Sequence, residues 1–169
     1  MQNNQLSAGA GKAEIHFPEA IFPLEGFQGV HDAPAARVLL LHCGERAAIV
    51  CLELVMLPPG GIDAVRQMVC EITNTEYEHI WVHTTHAITT PHEPHAPVGM
   101  GGVPLEISGE ERKNLERKTA LYRKAVQDAV SQAAREAVRT VRAARMGVGA
   151  GACHVNGNRD VCTDYGWWI

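Results

Sequence analysis

Five of the nine histidines in this sequence lie in one short stretch, at positions 79, 83, 86, 92 and 95. Threonines and prolines separate them between His83 and His95. Neutral imidazole is a good zinc ligand, and nearby hydroxyl groups can orient the ring through its other nitrogen. The spacing by itself also fits surface polar residues. Both interpretations therefore stay open at this point.

The segments around these histidines predict a mixed α/β layer. Apolar runs predict four strands, at residues 9–17, 37–43, 46–56 and 78–84. The second and third runs predict a hairpin covered on both faces, because polar and apolar residues do not alternate in them. A histidine at the end of the fourth strand would face the edge where such sheets commonly build their sites.

Two helices and one further strand complete the prediction. Pro58-Pro59 starts a helix whose inward face carries Ile62 and Val65. Ser108-Gly-Glu-Glu111 is a capping box that opens a long helix to about residue 141. The glycine-interrupted run at 145–153 predicts the last strand. We therefore expect one α/β unit over residues 1–169, with a mixed sheet, packed helices and a long functional loop at 85–105.

Composition excludes several classes of protein. The chain has 169 residues, 46% of them apolar and 20% charged, and a net charge of −4, so it carries no basic field for nucleic acid. No apolar run approaches the roughly 20 residues that span a bilayer, and the N-terminus shows no secretory signal, so we expect a cytoplasmic protein. The five cysteines fit no paired framework, and we expect most to be small core residues.

Several motifs resemble those of one enzyme family. Thr85-His86-Ala-Ile-Thr-Thr-Pro91 follows an apolar strand and resembles the Thr-His-Thr-His-Ser-Gly-Pro motif of neutral, non-lysosomal ceramidases. Four other segments resemble elements of that family in the same order: 10–15, 29–37, 50–53 and 147–159. The last of these contains Val-Asn-Gly-Asn-Arg, similar to the family's Val-Asn-Ile-Asn-Arg. The resemblance spans nearly the whole chain.

The resemblance implies the N-terminal half of an α/β zinc amidase domain. His86 corresponds to the first zinc-binding histidine of the family motif. Asn156, Arg159 and His31 are then the expected catalytic residues. The substrate would be held by side chains of the long loop: Thr85, Thr89, Thr90 and His92. Ile88 replaces the second motif histidine, which removes a polar partner and argues against ceramide itself as the substrate.

Structural roles for several of these residues stay open. Asn156 and Asn158 are also typical turn residues, and Arg159 also fits an ion pair. Asp32 and Glu53 could support the site as neighbouring carboxylates, or serve only as turn and strand-end residues.

The family's remaining zinc ligands, a histidine, a glutamate and a tyrosine, fall beyond the Asn-Arg element. This chain ends soon after it, at Tyr165-Gly-Trp-Trp-Ile169, with large apolar side chains at the terminus. We therefore expect a second polypeptide, from a processed precursor or a separate gene, to complete the fold and the site. Higher assembly of the resulting heterodimer is compatible with this expectation.

Three functions follow as hypotheses. The first is a zinc-assisted hydrolase subunit that cleaves or forms an amide bond in a small cytoplasmic substrate. The second is a metal-independent amidohydrolase whose nucleophile is the processed N-terminus of the partner chain. The third is a non-catalytic subunit that binds its partner through Tyr165, Trp167, Trp168 and Ile169.

Overall fold

A mixed sheet carries the fold of this chain. The structure is a computed structural model, and it describes residues 5–97, 105–154, 157 and 160–168. The sheet has the order β4-β3-β2-β1-β5, with β4 parallel to β3 and the other pairs antiparallel. Its strands are β1 (Ser7–Glu14), β2 (Ala35–Cys43), β3 (Glu45–Leu52), β4 (Ile80–Thr84) and β5 (Arg142–Ala143).

Two helices connect and cover these strands. Helix α1 (Pro59–Thr73) joins β3 to β4, which is the crossover that a parallel pair requires. Ser108 is the N-cap of helix α2 (Gly109–Arg139), and both hydrogen bonds of the predicted capping box are present. A separate hairpin of β6 (Val161–Thr163) and β7 (Gly166–Trp168) follows. The predicted α/β class, the β2–β3 hairpin and both helices are confirmed.

The core lies between one face of the sheet and the two helices. Inward side chains of β2 and β3, including Val38, Val50 and Leu52, are almost fully buried. Small residues of α2 pack against β1, where Gly9 and Gly11 leave no side chain in the way. Tyr122 of α2 is fully buried and stacks on Phe17 at a centroid distance of 4.9 Å. The close approach of α2 and β1 therefore fixes this side of the layer.

The expectation that the β2–β3 hairpin is covered on both faces is wrong for the described residues. On the face turned away from the helices, Leu39 is 37% exposed and Trp81 is 67% exposed. Most outward positions of these strands are apolar, although Arg37 and Glu45 share this face. Of the apolar ones, Leu39 is exposed and Ile49 and Cys51 are half-buried. The missing alternation thus reflects an apolar open face.

The predicted strand at residues 145–153 is also wrong. This segment forms no strand, and its apolar side chains Met146 and Val148 are 75% and 93% exposed. Glycines at alternate positions leave few side chains to pack, so the pairing ends after the two residues of β5. The cysteines depart from expectation too: Cys51 and Cys70 are half-buried, and Cys43, Cys153 and Cys162 are exposed.

Candidate functional site

The histidine-rich loop begins at the carboxyl ends of the parallel strands β3 and β4. Thr85 N–H donates to the Leu52 carbonyl at 2.9 Å, and Ala87 N–H donates to the Leu54 carbonyl at 3.2 Å. These bonds continue the pairing of the two chain segments beyond the strands. The loop therefore leaves the sheet in a defined direction, at the edge where the sequence places the site.

Thr90 ties the loop back onto the segment that follows β3. Its hydroxyl accepts from Val55 N–H at 2.9 Å and donates to the Ala87 carbonyl at 2.8 Å. A single hydroxyl thus satisfies one backbone donor and one backbone acceptor on two different segments. Thr90 is half-buried, and its first role is to shape the turn that carries His86.

His86 is held in a specific orientation. Its backbone adopts φ +56°, a left-handed conformation that non-glycine residues rarely adopt. Its Nδ1 lies 2.9 Å from the Val55 carbonyl oxygen. Because a carbonyl only accepts hydrogen bonds, Nδ1 of the neutral ring must carry the proton, which leaves the Nε2 lone pair available. His86 is exposed at the end of the sheet, and a ring in this tautomer can bind a metal through Nε2.

A cavity of about 370 Å³ joins two segments that the sequence analysis selected separately. The loop contributes Thr89 and Thr90, and the segment before β2 contributes His31 and Asp32. Three aromatic rings complete the apolar part of the wall: Phe17, Phe22 and Phe27. The fold thus brings hydroxyl, imidazole and carboxylate groups to one small, partly apolar cavity.

His31 and Asp32 form a solvent-exposed hydrogen-bonded pair at the rim of this cavity. Its Nδ1 lies 3.0 Å from the Asp32 carboxylate, and both side chains are more than nine-tenths exposed. With Nδ1 engaged by the carboxylate, Nε2 is the nitrogen left to exchange a proton or contact a ligand. Asp32 is therefore the orienting partner of His31.

Other residues selected from the sequence lie elsewhere. Thr85 is exposed and engages β3 through its backbone. His92 does not line the cavity with His31; its backbone N–H and its Nδ1 both contact the Glu25 carboxylate, at 2.8 and 2.9 Å. Asn156 and Arg159, with Val155 and Asn158, lie outside the described residues.

Glu53 organises the start of β2. Its carboxylate accepts from Ala35 N–H at 2.7 Å and from the Arg37 guanidinium at 2.6 Å. Partial burial opposes ionisation, but these hydrogen bonds and the charge of Arg37 outweigh it and lower the pKa of Glu53. Glu53 therefore remains ionised and acts as a support between β2 and β3.

Sequence reasoning missed the contacts that clamp the loop onto α2. Glu93 is buried and receives two hydrogen bonds from the Arg123 guanidinium, at 2.6 and 2.8 Å. The Tyr122 hydroxyl donates to the Pro91 carbonyl at 3.2 Å, and the Thr119 hydroxyl donates to the Pro94 carbonyl at 3.0 Å. In the sequence, Tyr122 belongs to an apolar stripe of the long helix, shared with Leu115 and Val126, and that pattern indicates a core residue rather than a loop anchor.

The described ranges contain no group of three or more side chains of His, Cys, Asp or Glu that could hold a metal ion. They do supply histidines whose Nδ1 bonds a backbone carbonyl: His86 bonds Val55 at 2.9 Å, and His95 bonds Glu93 at 3.1 Å. The described residues by themselves therefore do not form a zinc site. No helix in the same ranges is both long and apolar enough to cross a membrane.

Comparison with solved structures shows a ceramidase-like α/β fold. The crystal structure of neutral ceramidase from Pseudomonas aeruginosa matches 84% of this chain with 18% identity and a TM-score of 0.53. A second structure, of a ceramidase complexed with C2, matches 83% with 13% identity and a TM-score of 0.50. The chain spans only 23% and 22% of those two chains. No protein-family model and no curated protein matches the sequence.

Proposed function

We propose that this chain is one subunit of a ceramidase-like amidohydrolase that acts, with zinc, on a small cytoplasmic amide. The observation that carries the proposal is the fixed tautomer of His86 at the carboxyl end of the sheet. The Nδ1–H···O=C bond to Val55 presents Nε2 outward from a ceramidase-like fold. The match to neutral ceramidases supports a hydrolase as the general class.

The proposed chemistry divides between the metal and the residues of this chain. A zinc ion bound in part by His86 would polarise the amide carbonyl and lower the pKa of its bound water toward about 7. Thr89 and Thr90 line the cavity of about 370 Å³. The Thr89 hydroxyl would hydrogen-bond polar groups of the substrate, whereas the Thr90 hydroxyl, whose proton is donated to Ala87, would only accept from them. His31 Nε2, oriented by Asp32, would exchange a proton with the reacting amide.

The cavity favours a small substrate. Its volume of about 370 Å³ is near the lower end of the range for small-molecule sites, roughly 300–1,000 Å³. Its aromatic wall suits an apolar group, and its threonine and imidazole groups suit an amide or lactam. Ile88, which stands where the family motif has its second histidine, is 77% exposed and gives no polar contact for a larger head group.

We further propose that a second polypeptide completes the site. The described residues form no group of metal ligands around His86, and the sheet face that carries Leu39 and Trp81 is not covered by any described element. Asn156 and Arg159 are proposed to support the completed site from their position in the Asn-Arg element. A partner covering this face would bring its own ligands to the edge where His86 lies.

The test is metal content and activity of the protein purified under native conditions with whatever polypeptides accompany it. We expect about one zinc per complex and hydrolysis of small amides, with both lost in His86→Ala. His42→Ala, which changes an exposed histidine on β2 away from the site, is the matched control and should retain both. Full metal content in His86→Ala would refute the ligand assignment.

The chelator response separates this proposal from its alternative. Activity that survives complete removal of zinc, together with a processed N-terminus on a second chain, would establish the metal-independent hydrolase instead. If the complex is stable, metal-free and inactive, the chain is a non-catalytic structural subunit.

A further inference from the structure

The outer edge of β4 presents unpaired backbone groups. Thr85 N–H donates to Leu52, so residues 81, 83 and 85 direct their backbone groups toward β3. The alternate residues Ile80, Val82 and Thr84 direct theirs to the opposite side. There, Ile80 N–H bonds the Tyr77 carbonyl, and no residue in the described ranges bonds the remaining groups.

The opposite edge of the sheet, by contrast, is protected. β5 pairs with the first residues of β1, and the Thr140 hydroxyl bonds both the N–H and the carbonyl of Ala10, at 3.0 and 2.8 Å. Lys12 and Glu14 then place charges along the rest of that edge. Edge charges and short covering strands are the usual devices against unwanted pairing. β4 carries no Lys, Arg, Asp or Glu, no described segment covers its outer edge, and its outward-facing Trp81 is 67% exposed.

We propose that β4 pairs edge to edge with β4 of a second copy of this chain. Two identical edges related by a two-fold axis pair in the antiparallel sense. Residues 80, 82 and 84 carry the outward backbone groups. The symmetric hydrogen-bonded register therefore places the two-fold axis between the Val82 residues of the two copies. The two Val82 residues exchange hydrogen bonds, and Ile80 of each copy faces Thr84 of the other. There only the Thr84 N–H donates across the axis, to the Ile80 carbonyl, because the Ile80 N–H already bonds Tyr77. The result is one continuous sheet through both copies.

The side chains agree with this register. Trp81 and His83 lie on the open face of the sheet, and the pairing places Trp81 of each copy directly opposite His83 of the other. These are non-hydrogen-bonded positions, where cross-strand side chains approach most closely and aromatic pairs are favourable. Since β4 holds no Lys, Arg, Asp or Glu, no like charges meet across the axis. Both the backbone and the side chains are thus self-complementary.

Sedimentation analysis of the full chain over a range of concentrations tests the proposal. We expect a dimer, and we expect Trp81→Lys to raise its dissociation constant at least about tenfold. Trp167→Lys is the matched control, since Trp167 is 69% exposed on the separate hairpin. A dimer that survives Trp81→Lys but dissociates in Trp167→Lys would place the interface on the β6–β7 hairpin and overturn the proposal.

A proline substitution tests the backbone directly. Val82→Pro removes an outward N–H while the bonds to β3, which come from residues 81 and 83, remain. We expect it to make the protein monomeric, whereas Val82→Thr, which keeps the amide, leaves the dimer intact. Hydrogen exchange on the unmodified chain gives a readout independent of folding in the variants: Val82 and Thr84 amides should gain protection as concentration rises. A wild-type monomer at all concentrations, or concentration-independent protection of those amides, would refute the pairing.

Discussion

Replacing Gly11 with alanine tests the contact on which the layer depends, the packing of α2 against β1. A Cβ atom on Gly11 would overlap the Ala133 carbonyl oxygen and lie 2.8 Å from Ala137 N and from Glu136 Cβ. Two of these three atoms belong to the helix backbone, so no side-chain rotation relieves the overlap. Either the helix moves away from the sheet or β1 distorts.

The expected cost follows from that geometry. Forcing an extra methyl group into a packed interior costs about 1–3 kcal/mol, and a clash with backbone belongs at the upper end of this range. Alanine also stiffens the unfolded chain, which offsets about 0.4–1 kcal/mol. A net loss of about 2 kcal/mol lowers the Tm by roughly 4–8 °C for a chain of this size.

Thermal and urea unfolding of the purified variant measure this loss. Gly60→Ala is the matched control, because a Cβ at Gly60 in α1 meets nothing within 4 Å. We expect that control to gain stability, by up to about 1 kcal/mol, since alanine favours the helix. A Gly11→Ala variant as stable as the wild type would show that α2 does not pack on β1 as closely as the structure places it.

Three further predictions concern single contacts. Ser108→Ala removes the N-cap hydroxyl of α2 and should cost about 1 kcal/mol in urea unfolding, while Ser131→Ala should cost less. Thr140→Val leaves the outward N–H and carbonyl of Ala10 without their bond and should cost about 1 kcal/mol, with faster hydrogen exchange at Ala10. The lowered pKa of Glu53 means that its stabilisation is present above its ordinary value of 4.5 and is lost as pH falls through the lower folded value. Acid titration of the unfolding free energy should therefore fall less steeply in Glu53→Gln, and an unchanged slope would contradict this role.

The local elements could be predicted from the sequence because their signals lie within a few residues. Ser108 and Glu111 form the predicted capping box, and the Pro-Pro pair starts α1 one residue from the predicted position. The histidine-rich segment follows a strand and lies at the carboxyl edge of the sheet, as the run before it predicts. Each of these signals depends only on residues close together in the chain, so the local sequence is enough to predict the element.

Only the tertiary structure decided which sheet face is covered and how the loop is held. Apolar residues occupy both faces of β2 and β3, so the pattern did not reveal that Leu39 would remain exposed. The bond from His86 to Val55 joins residues 31 positions apart, and the Glu93–Arg123 pair joins residues 30 positions apart. The sequence determined the elements and the chemistry of the loop. The partners of its side chains were decided when the segment after β3 and helix α2 each met the loop, since each of these contacts needs two distant segments to meet.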